Sequence, residues 1–450
     1  IAESMGMKVG MVSLGCSKNR VDAEIMMGML KNAGYTLVAE AGMADVAIVN
    51  TCGFIEDAKK EAIEEILELV QLKQEKRIKA IIVTGCLAER YREEVEKELP
   101  EVDAVLGIGA NKDIVQAVNN VLAGKRLLSF PEKNLLPLCG ERVQTTPYYT
   151  SYLKIAEGCD NCCTYCAIPM IRGRFRSRPM EEITAEEEHL AKNGVRELIV
   201  LAQDTTRYGE DIYGEKKLPE LLRRLCRVDG LRWIRVLYCY PERITDELLD
   251  VIANEEKMVK YIDLPLQHCS RSVLRRMNRR GSREELTALL KKIREKVPGV
   301  TLRTTVMTGF PGESEEDFTE LAEFVKEIRF DRLGCFAYSA EEGTPAAEYP
   351  DQVPEDIRIK RQENIMELQA RIMEETCIQS EGREISVMVE GYDRYAGSFF
   401  GRSAADAPEV DSTVFFTAKT RSLNAGEFVT VRVTDHLDCD LLGEMISRES

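Results

Sequence analysis

Short apolar runs alternate with segments of helical periodicity over the first 125 residues. The apolar runs have the length and composition of buried strands, and they are "KVGMVSL", "DVAIVN", "IKAIIVTG" and "VDAVLGIG". Apolar positions recur at helical spacing in the segments between them, "VDAEIMMGMLKNAG", residues 55–73 and "LAERYREEVEKELP". Strands that alternate with helices pair in parallel, so the pattern predicts an α/β domain with a Rossmann-like parallel sheet over residues 7–125.

A second and longer alternation begins at about residue 145, after a proline-containing linker without periodicity at residues 126–144. Its strand candidates are "YLKIAE", "RELIVLA", "LRWIRVLY", "KYIDLPL", "VTLRTTVMTGF" and "DRLGCFAY". Helical segments such as "TDELLDVIANEE" and "SEEDFTELAEFVKEI" separate them. Six β–α units are too few for a closed eight-unit barrel, so we predict a partial (β/α)6 barrel over residues 145–375.

The last part of the chain changes from helical to strand-like patterning. One long helix is predicted after Pro354, and from about Glu384 the runs "EISVMVEGY", "STVFFTA" and "EFVTVRVTDHL" have the pattern of strands. These short strands predict a small antiparallel β-barrel over residues 378–446.

Composition is typical of a globular protein with several domains. The 450 residues are too many for one core, and the chain is 44% hydrophobic and 31% charged. No apolar run approaches the roughly 20 residues that span a bilayer, and the N-terminal residues lack the pattern of a signal peptide. We therefore expect a cytoplasmic protein. The net charge of −16 disfavours binding to phosphate backbones and favours a basic partner.

Cysteine is the residue type that changes this picture. The chain has 14 cysteines but only 3 histidines, and four cysteines fall within "GCDNCCTYC", residues 158–166. In a large cytoplasmic protein such a cluster indicates metal binding or redox chemistry more than disulfides. Two sets of three have suitable spacing, Cys159 and Cys166 with either Cys162 or Cys163, and spacing alone does not choose between them.

Three cysteines without a nearby fourth ligand fit a 4Fe–4S cluster, which takes thiolate ligands and would leave one iron open for a small molecule. The alternative is a structural zinc site completed by a distant cysteine, because such sites usually have four protein ligands. The cysteines follow the first strand of the predicted barrel, "YLKIAE", and β–α barrels bind ligands in the loops after their strands.

Three further cysteines occupy equivalent positions in the N-terminal domain. Cys16, Cys52 and Cys86 each lie shortly after an apolar strand and before a helix. In a parallel sheet the three loops emerge at the same edge, where such folds bind ligands. Three converging thiolates could hold a second cluster with an open iron, whereas the alternative is that cysteines are simply common buried residues.

The spacing C-x3-C-x-aromatic-C resembles the signature of the radical S-adenosylmethionine (SAM) enzymes, and the matching positions are Cys159, Cys163, Tyr165 and Cys166. The resemblance selects Cys163 over Cys162, whose role stays open. It implies that the open iron binds the amino and carboxylate groups of SAM. It also implies that one electron from the cluster cleaves SAM to a 5′-deoxyadenosyl radical.

Two sets of three cysteines on one chain resemble the radical SAM methylthiotransferase family, and the resemblance covers essentially the whole chain. It implies a cluster-binding N-terminal domain, a radical SAM core and a C-terminal TRAM barrel. In that family the second cluster carries the sulfur, one SAM methylates it, and another SAM makes the radical that activates a substrate C–H bond. The implied cofactors are two 4Fe–4S clusters and SAM, with an electron donor such as flavodoxin or ferredoxin.

Two branches of this family modify either an adenosine of tRNA or the β-carbon of an aspartate in small-subunit ribosomal protein twelve. "SLGCSKNRVDAE", "EGCDNCCTYCAIPMIRGRFRSR", "VLAQDTTRYG" and "YIDLPLQHCS" resemble the ribosomal-protein branch, and the Gly-Cys-Gln-Met-Asn run typical of the tRNA branch is absent. Residues 379–450 hold 13 Asp or Glu and 7 Lys or Arg, which suits a basic protein better than tRNA. A non-enzymatic iron–sulfur carrier or ribosome-assembly factor is a third hypothesis, which predicts no cleavage of SAM.

Contacts outside the cysteine sets are predicted from position. "TGFPGE", residues 308–313, resembles a SAM-contact segment, so the resemblance implies cofactor contacts by Tyr165, Gly309 and Pro311. The arginines of "RGRFRSR" could anchor the carboxylate of SAM, a substrate loop or a nucleic acid, or be solvated. The predicted substrate contacts are Arg172, Arg174, Asp204 and His268. Asp204 and His268 follow strands and are candidates for the barrel mouth, and the alternative for His268 is an ordinary hydrogen-bonded histidine. No catalytic acid or base is assigned.

Overall fold

The computed structural model describes residues 6–449 of the 450-residue chain, which divides into two units. The first unit comprises Ile1–Thr146, Tyr152–Glu182 and Ser339–Ala347. The second comprises Pro147–Ser151, Ile183–Tyr338 and Glu348–Ser450. The domain boundaries expected from the sequence stay a prediction. No helix within residues 6–449 is long and apolar enough to cross a lipid bilayer.

The first unit contains the parallel sheet expected from the N-terminal pattern. Its strands are β1 (Lys8–Ser13), β2 (Thr36–Val38), β3 (Val46–Thr51), β4 (Ala80–Gly85), β5 (Ala104–Leu106) and β6 (Leu127–Ser129). All neighbours pair in parallel in the order β2-β1-β3-β4-β5-β6, which confirms the Rossmann-like prediction. Strands β2 and β6 were not expected, because three residues are too few to carry a period. Strand β6 lies inside the predicted linker.

Helices cover both faces of this sheet, and they are α1 (Ser17–Asn32), α2 (Glu56–Gln74), α3 (Cys86–Tyr91), α4 (Glu93–Glu98) and α5 (Ile114–Leu122). Alternate residues of β3 and β4 enter separate cores, so Val46 and Ile48 face one layer while Ala47 and Val49 face the other. Burial on both faces explains why these strands are continuously apolar. The single helix expected after β4 is interrupted at Arg92, whose φ is 46°.

The next segment carries the central cysteines. It consists of β7 (Thr150–Lys154), β8 (Ala156–Glu157), α6 (Ile168–Arg172) and β9 (Arg176–Ser177). Strand β7 begins in the second unit, and from Tyr152 onwards the segment belongs to the first. Strands β8 and β9 pair in antiparallel fashion, so the chain returns on itself around the cysteine loop and α6.

The second unit contains the other parallel strands of the predicted partial barrel, β10 (Glu197–Leu201), β11 (Trp233–Val236), β12 (Tyr261–Asp263), β13 (Thr301–Thr308) and β14 (Arg332–Ala337). The strand orders are β7-β10-β11 and β12-β13-β14, which include all six strands expected from the sequence. The accompanying helices are α7 (Met180–Lys192), α8 (Glu210–Tyr213), α9 (Leu218–Leu225), α10 (Asp246–Asn254), α11 (Arg271–Arg276), α12 (Arg283–Lys296), α13 (Glu315–Ile328) and α14 (Glu355–Ser380).

The C-terminal strands close a small barrel, as expected. They are β15 (Glu384–Asp393), β16 (Ser398–Ser403), β17 (Val414–Thr417), β18 (Phe428–Leu437) and β19 (Asp440–Arg448), in the order β15-β16-β17-β19-β18. The barrel is not wholly antiparallel, because β17 and β19 pair in parallel. Val387, Val389, Phe399 and Phe416 are among the residues that fill its core.

Buried ion pairs attach this barrel to the parallel strands of the same unit. Arg402 of β16 lies 2.6 Å from Glu197, and Arg303 of β13 lies 2.6 Å from Asp411. Arg332 of β14 lies 2.7 Å from Asp406. Each pair joins a charge of the barrel segment to a charge of a parallel strand, so removal of either partner would leave an uncompensated buried charge.

Candidate functional site

Three cysteines lie at the carboxyl ends of adjacent strands in the first unit. Cys16 follows β1, Cys52 follows β3 directly, and Cys86 follows β4 as the first residue of α3. Because β1, β3 and β4 are neighbours in a parallel sheet, these loops leave the same edge side by side. Cys16, Cys52 and Cys86 are called the N-terminal set below.

Glycines beside the N-terminal set allow the three loops to touch. Gly15 has φ +89°, and a Cβ atom there would lie 2.5 Å from Cβ and 2.8 Å from Sγ of Cys52. A Cβ atom on Gly53 would lie 2.8 Å from the backbone nitrogen of Leu87 and 3.1 Å from the carbonyl carbon of Cys86. The first loop therefore packs on the second and the second on the third, which only glycine permits.

Polar side chains behind the cysteines fix the loops to one another. The Asn19 amide of α1 donates to the carbonyl oxygens of Leu14 at 2.7 Å and Thr51 at 3.2 Å. Thr51 directly precedes Cys52 in the chain. The Thr51 hydroxyl donates to the Thr84 carbonyl at 2.6 Å. The ends of β1, β3 and β4 are thus held by hydrogen bonds that do not involve the thiols.

The thiols of the N-terminal set influence one another. Burial, with the nearby Cys86 and Cys16 thiolates, raises the pKa of Cys52 to about 12. Burial also raises the pKa of Cys86. At Cys16 desolvation acts in the same direction, yet the pKa is lowered because the charges of Lys18 and Arg172 favour the thiolate. Cysteine sulfurs are soft ligands, so three of them at one edge of the sheet suit the iron of an iron–sulfur cluster.

The second set of cysteines lies between β8 and α6, also in the first unit. Cys159 and Cys163 are buried and Cys166 is half-buried, whereas Cys162 is exposed with φ 54°. Burial is the main cause of the raised pKa of Cys166, and the thiolates of Cys163 and Cys159 add to it. Cys159, Cys163 and Cys166 are called the central set below, and the choice of this frame over the one that uses Cys162 stays a prediction.

Amide groups donate hydrogen bonds to the sulfurs of the central set. The backbone and side-chain nitrogens of Asn161 lie 3.5 and 3.4 Å from Sγ of Cys159. The backbone nitrogen of Ile168 lies 3.4 Å from Sγ of Cys166. Such donors favour thiolate over thiol and tune a bound cluster, so this loop is suited to hold one.

The two sets share neighbours within the first unit. The Cys86 side chain packs against Ala167 and Ile171, which follow Cys166 in the chain. Lys18 lowers the pKa of Cys16 and contributes in the same direction at Cys166. Within residues 6–449 no group of three His, Cys, Asp or Glu side chains is arranged to hold a single metal ion. A four-iron cluster makes a different demand, because each cysteine binds a separate iron.

Arg172 lies in a buried polar network of the first unit and not at an open surface. Its side chain is 1% exposed, and Nη1 donates to Asp22 at 2.6 Å. Nη2 donates to Sγ of Cys86 and to Oδ1 of Asn19, both at 3.3 Å. These contacts within the protein already occupy the guanidinium, so this geometry does not support the expected contact between Arg172 and substrate.

Lys154 and Glu157 complete this network. Lys154 donates to Asp22 at 2.5 Å and to Glu157 at 2.7 Å, and both of its partners are buried. Lys154 and Arg172 hold the pKa of Glu157 down to about 2, although burial alone would raise it. Two cations and two anions therefore balance inside the protein, which is the condition under which buried charge is tolerated.

His268 is also buried, in the second unit, and both ring nitrogens are engaged. Nδ1 accepts the Ser270 backbone N–H at 3.0 Å, so Nε2 carries the proton and donates to Glu313 at 2.8 Å. Glu313 in turn accepts the backbone N–H of Gly309 at 2.9 Å and Nη1 of Arg361 at 2.7 Å. The expected substrate contact of His268 is not supported, because its ring holds the loop that begins at Thr308.

Packing within the protein accounts for the glycine in the loop that begins at Thr308. Gly309 has φ +74°, and a Cβ atom there would collide with the Arg358 side chain of α14. Pro311 is buried, and in the first unit Tyr165 is half-buried. The packing against Arg358 explains the glycine without a cofactor, so the SAM contacts of Gly309, Pro311 and Tyr165 stay predictions.

Asp204 and Arg174 occupy opposite environments. Asp204 is buried, and its carboxylate accepts the Thr206 backbone N–H at 3.1 Å and Nη1 of Arg243 at 2.9 Å, as a cap of a short turn. Its expected substrate contact is not supported by this geometry. Arg174 is 95% exposed and lies 3.9 Å from Asp160, so a contact with another molecule stays a prediction.

Sequence reasoning missed Asn19, Asp22, Lys154 and Glu157. The sequence did mark these residues, because each is polar or charged within a segment that is otherwise buried. Asn19 and Asp22 lie on the buried face of α1, and Lys154 and Glu157 interrupt the buried run "YLKIAE". A buried charge requires a partner, so each of these residues indicated an unseen one.

Three family descriptions match successive parts of the chain. They are "Uncharacterized protein family UPF0004" for residues 8–107, "Radical SAM superfamily" for residues 153–325 and "TRAM domain" for residues 382–446. The radical SAM match includes the central set, and the TRAM match covers the C-terminal barrel.

Full-length relatives decide the family. A Desulforamulus reducens protein named "Ribosomal protein uS12 methylthiotransferase RimO" is 50% identical over 441 residues, covering 97% of this chain and 99% of that protein. Proteins of the same name from Lachnoclostridium phytofermentans and Geobacter sulfurreducens are 49% and 47% identical, covering 97% and 98% of this chain and 99% of each relative. This chain belongs to the RimO family. The expected radical SAM methylthiotransferase is thereby confirmed, with the SAM and 4Fe–4S cofactors that RimO membership implies.

Solved structures resemble this RimO family member in fold alone. The radical SAM methyltransferase TsrM from Kitasatospora setae, with cobalamin and a [4Fe-4S] cluster bound, has a TM-score of 0.59 at 14% identity and covers 76% of this chain and 77% of its own. The cobalamin-dependent radical enzyme OxsB has a TM-score of 0.50 at 12% identity and covers 80% of this chain and 56% of its own.

Proposed function

We propose that this chain transfers a methylthio group to the β-carbon of an aspartate in ribosomal protein uS12, the small-subunit protein twelve. The observation that carries the proposal is identity near 50% to relatives named for uS12 methylthiotransfer, over 97% of the chain. Because the similarity includes the C-terminal barrel, it concerns the whole protein and not only its radical SAM region.

We assign the central set to the cluster that binds SAM and the N-terminal set to the cluster that donates sulfur. The support is the meeting of the three N-terminal loops at one edge of the parallel sheet and the amide donors at Cys159 and Cys166. When bound, the clusters and SAM would supply the radical removal of hydrogen and the sulfur that replaces it.

The residues around the two sets would hold and shield them instead of moving protons. A β-carbon C–H bond is too weakly acidic for a histidine or carboxylate to deprotonate near pH 7, so no general base is required. Asp22, Lys154, Glu157 and Arg172 form a closed network beside Cys86. His268 would act at a distance, by holding Glu313 and with it the predicted SAM-contact loop.

A one-electron reductant is required because cleavage of SAM consumes an electron. We propose a protein such as flavodoxin or ferredoxin as the donor, and the cytoplasm as the compartment, where thiols stay reduced and ribosomal proteins are made. Omitting the reductant should abolish methylthiolation of uS12, and adding either protein with its reductase should restore it.

Iron stoichiometry tests the two-cluster assignment. Anaerobic reconstitution of the wild-type chain should give about eight irons per chain, and replacing all three residues of either set by alanine should give about four. The matched control is Cys226→Ala, which removes a cysteine outside both sets. About four irons in the wild type, with no loss when the N-terminal set is replaced, would refute the assignment.

Substrate mass tests the reaction itself. The reduced enzyme with SAM should add about 46 Da, one methylthio group, to uS12 but not to tRNA, and an aspartate-to-alanine uS12 variant should not react. A mass gain on tRNA with none on uS12 would instead assign the chain to the tRNA-modifying branch. A protein that binds iron but never cleaves SAM would instead be a carrier or assembly factor.

A further inference from the structure

We propose that Arg172 is a positioning residue for the sulfur-donating cluster, which its hydrogen bond to Cys86 shifts to a higher reduction potential. The inference deepens the proposed function and rests on it, because it requires the N-terminal set to hold a cluster. It also gives a role to a buried cation that the reaction does not otherwise use.

The contact joins two parts of the first unit that are far apart in sequence. Arg172 is the last residue of α6, six residues after Cys166 of the central set. Its Nη2 lies 3.3 Å from Sγ of Cys86, which is the first residue of α3 in the N-terminal set. One guanidinium therefore extends from the loop of one cysteine set to a sulfur of the other.

Asp22 holds the guanidinium in place. It accepts Nη1 of Arg172 at 2.6 Å, while Asn19 accepts Nη2 at 3.3 Å. Lys154 also donates to Asp22, and Glu157 lies 3.6 Å from Arg172. Anchoring at Nη1 leaves Nη2 aimed at Cys86, so the donor is fixed before any cluster binds.

Arginine suits this position better than lysine. A planar guanidinium can donate to a carboxylate and a sulfur at once in fixed directions, whereas an ammonium is a single point charge. A cationic donor to a cysteine sulfur stabilises the more negative, reduced state of a cluster, and burial strengthens the interaction. The expected consequence is a higher reduction potential when Arg172 is present.

A merely structural role makes a different prediction. If Arg172 only neutralises Asp22 and Glu157, its replacement would reduce stability or cluster loading but leave the potential of a loaded cluster unchanged. The potential therefore separates the two roles in a way that activity alone would not.

The experiment uses the full chain with Cys159→Ala, Cys163→Ala and Cys166→Ala, so that only the N-terminal set can bind a cluster. After anaerobic reconstitution, a redox titration followed by EPR gives the potential. Arg172→Lys and Arg172→Gln should shift it to more negative values, with the larger shift in glutamine. Arg174→Gln is the control, because this exposed arginine lies two residues away, and it should cause no shift. Loaded Arg172 variants with the wild-type potential and EPR signal would overturn the inference.

A measurement without substitution at Arg172 covers the case in which its variants fail to fold or load. The same chain is produced with 15N-labelled arginine, and pulsed EPR of the reduced cluster should detect a 15N coupling through the hydrogen bond to Cys86. Absence of that coupling overturns the inference. A chain that binds no iron here contradicts the proposed two-cluster function instead, whereas about four irons without coupling contradict only the role of Arg172.

Discussion

Glu187 allows a quantitative prediction because its carboxyl group is buried without a visible partner. It lies in α7, its side chain is inaccessible to solvent, and neither carboxyl oxygen has a hydrogen bond within residues 6–449. Burial is the main cause that raises its pKa to about 9, with a small addition from Glu188 and a partial offset by Lys257. The folded protein therefore keeps Glu187 protonated at neutral pH, whereas the unfolded chain does not.

The sign and size follow from proton linkage. Below the unfolded pKa of 4.5 both states are protonated, and stability is lost as the pH rises from there towards 9 because the folded state must retain the proton. Each pH unit in that window costs about 1.4 kcal/mol, so the penalty at pH 7 is roughly 3 kcal/mol. Glu187→Gln cannot ionise and should stabilise the protein by about that amount.

The assay can use a natural reporter. The chain has a single tryptophan, Trp233 of β11, which is buried in the same unit as Glu187. Urea denaturation of cluster-free protein, followed by its fluorescence, should show the variant more stable by about 1 kcal/mol at pH 5.5 and nearly 5 kcal/mol at pH 8. Glu188→Gln, which changes an exposed neighbour, should show no difference in unfolding free energy from wild type that grows with pH. A gap between Glu187→Gln and wild type that is independent of pH would refute the reasoning.

Three further predictions concern the site. Cys162→Ala should retain about eight irons, whereas Cys163→Ala should lose about four, and iron analysis after reconstitution compares them directly. Gly15→Ala should disturb the N-terminal set, because its Cβ would lie 2.5 Å from that of Cys52, and reduced iron content with intact central-set EPR is expected. His268→Ala should weaken SAM binding about tenfold or more in equilibrium titrations, since Glu313 loses a buried donor, and unchanged affinity would contradict the prediction.

Regular elements of the fold were predictable where burial is uniform. Strands β3 and β4 are buried on both faces, so their apolar runs are complete and unmistakable. Strands β2 and β6 have three residues each, too few for a pattern. The parallel pairing of β17 with β19 depends on where a later strand inserts, which local sequence does not specify.

The site was predictable to the extent that its residues share a local pattern. Each cysteine of the N-terminal set follows a strand, and the central set has its own spacing, so both emerge from the sequence. The network around Arg172 does not, because its partner Asp22 lies 150 residues away. His268 was expected at an open barrel mouth because it follows a strand, but its buried ring is held between the Ser270 backbone N–H and Glu313.

The acidic C-terminal barrel supports a basic partner only through the charges that reach its surface. Asp406 and Asp411 contribute to the acidic count of residues 379–450, yet their side chains are buried against Arg332 and Arg303. Arg402, counted as basic, is buried against Glu197. When these buried charges are left out of the count, acidic residues still outnumber basic ones. The exposed acidic residues include Asp435 of β18, Asp438 of the following turn and Glu444 of β19. A basic ribosomal protein complements such a surface, whereas the phosphates of tRNA would be repelled by it.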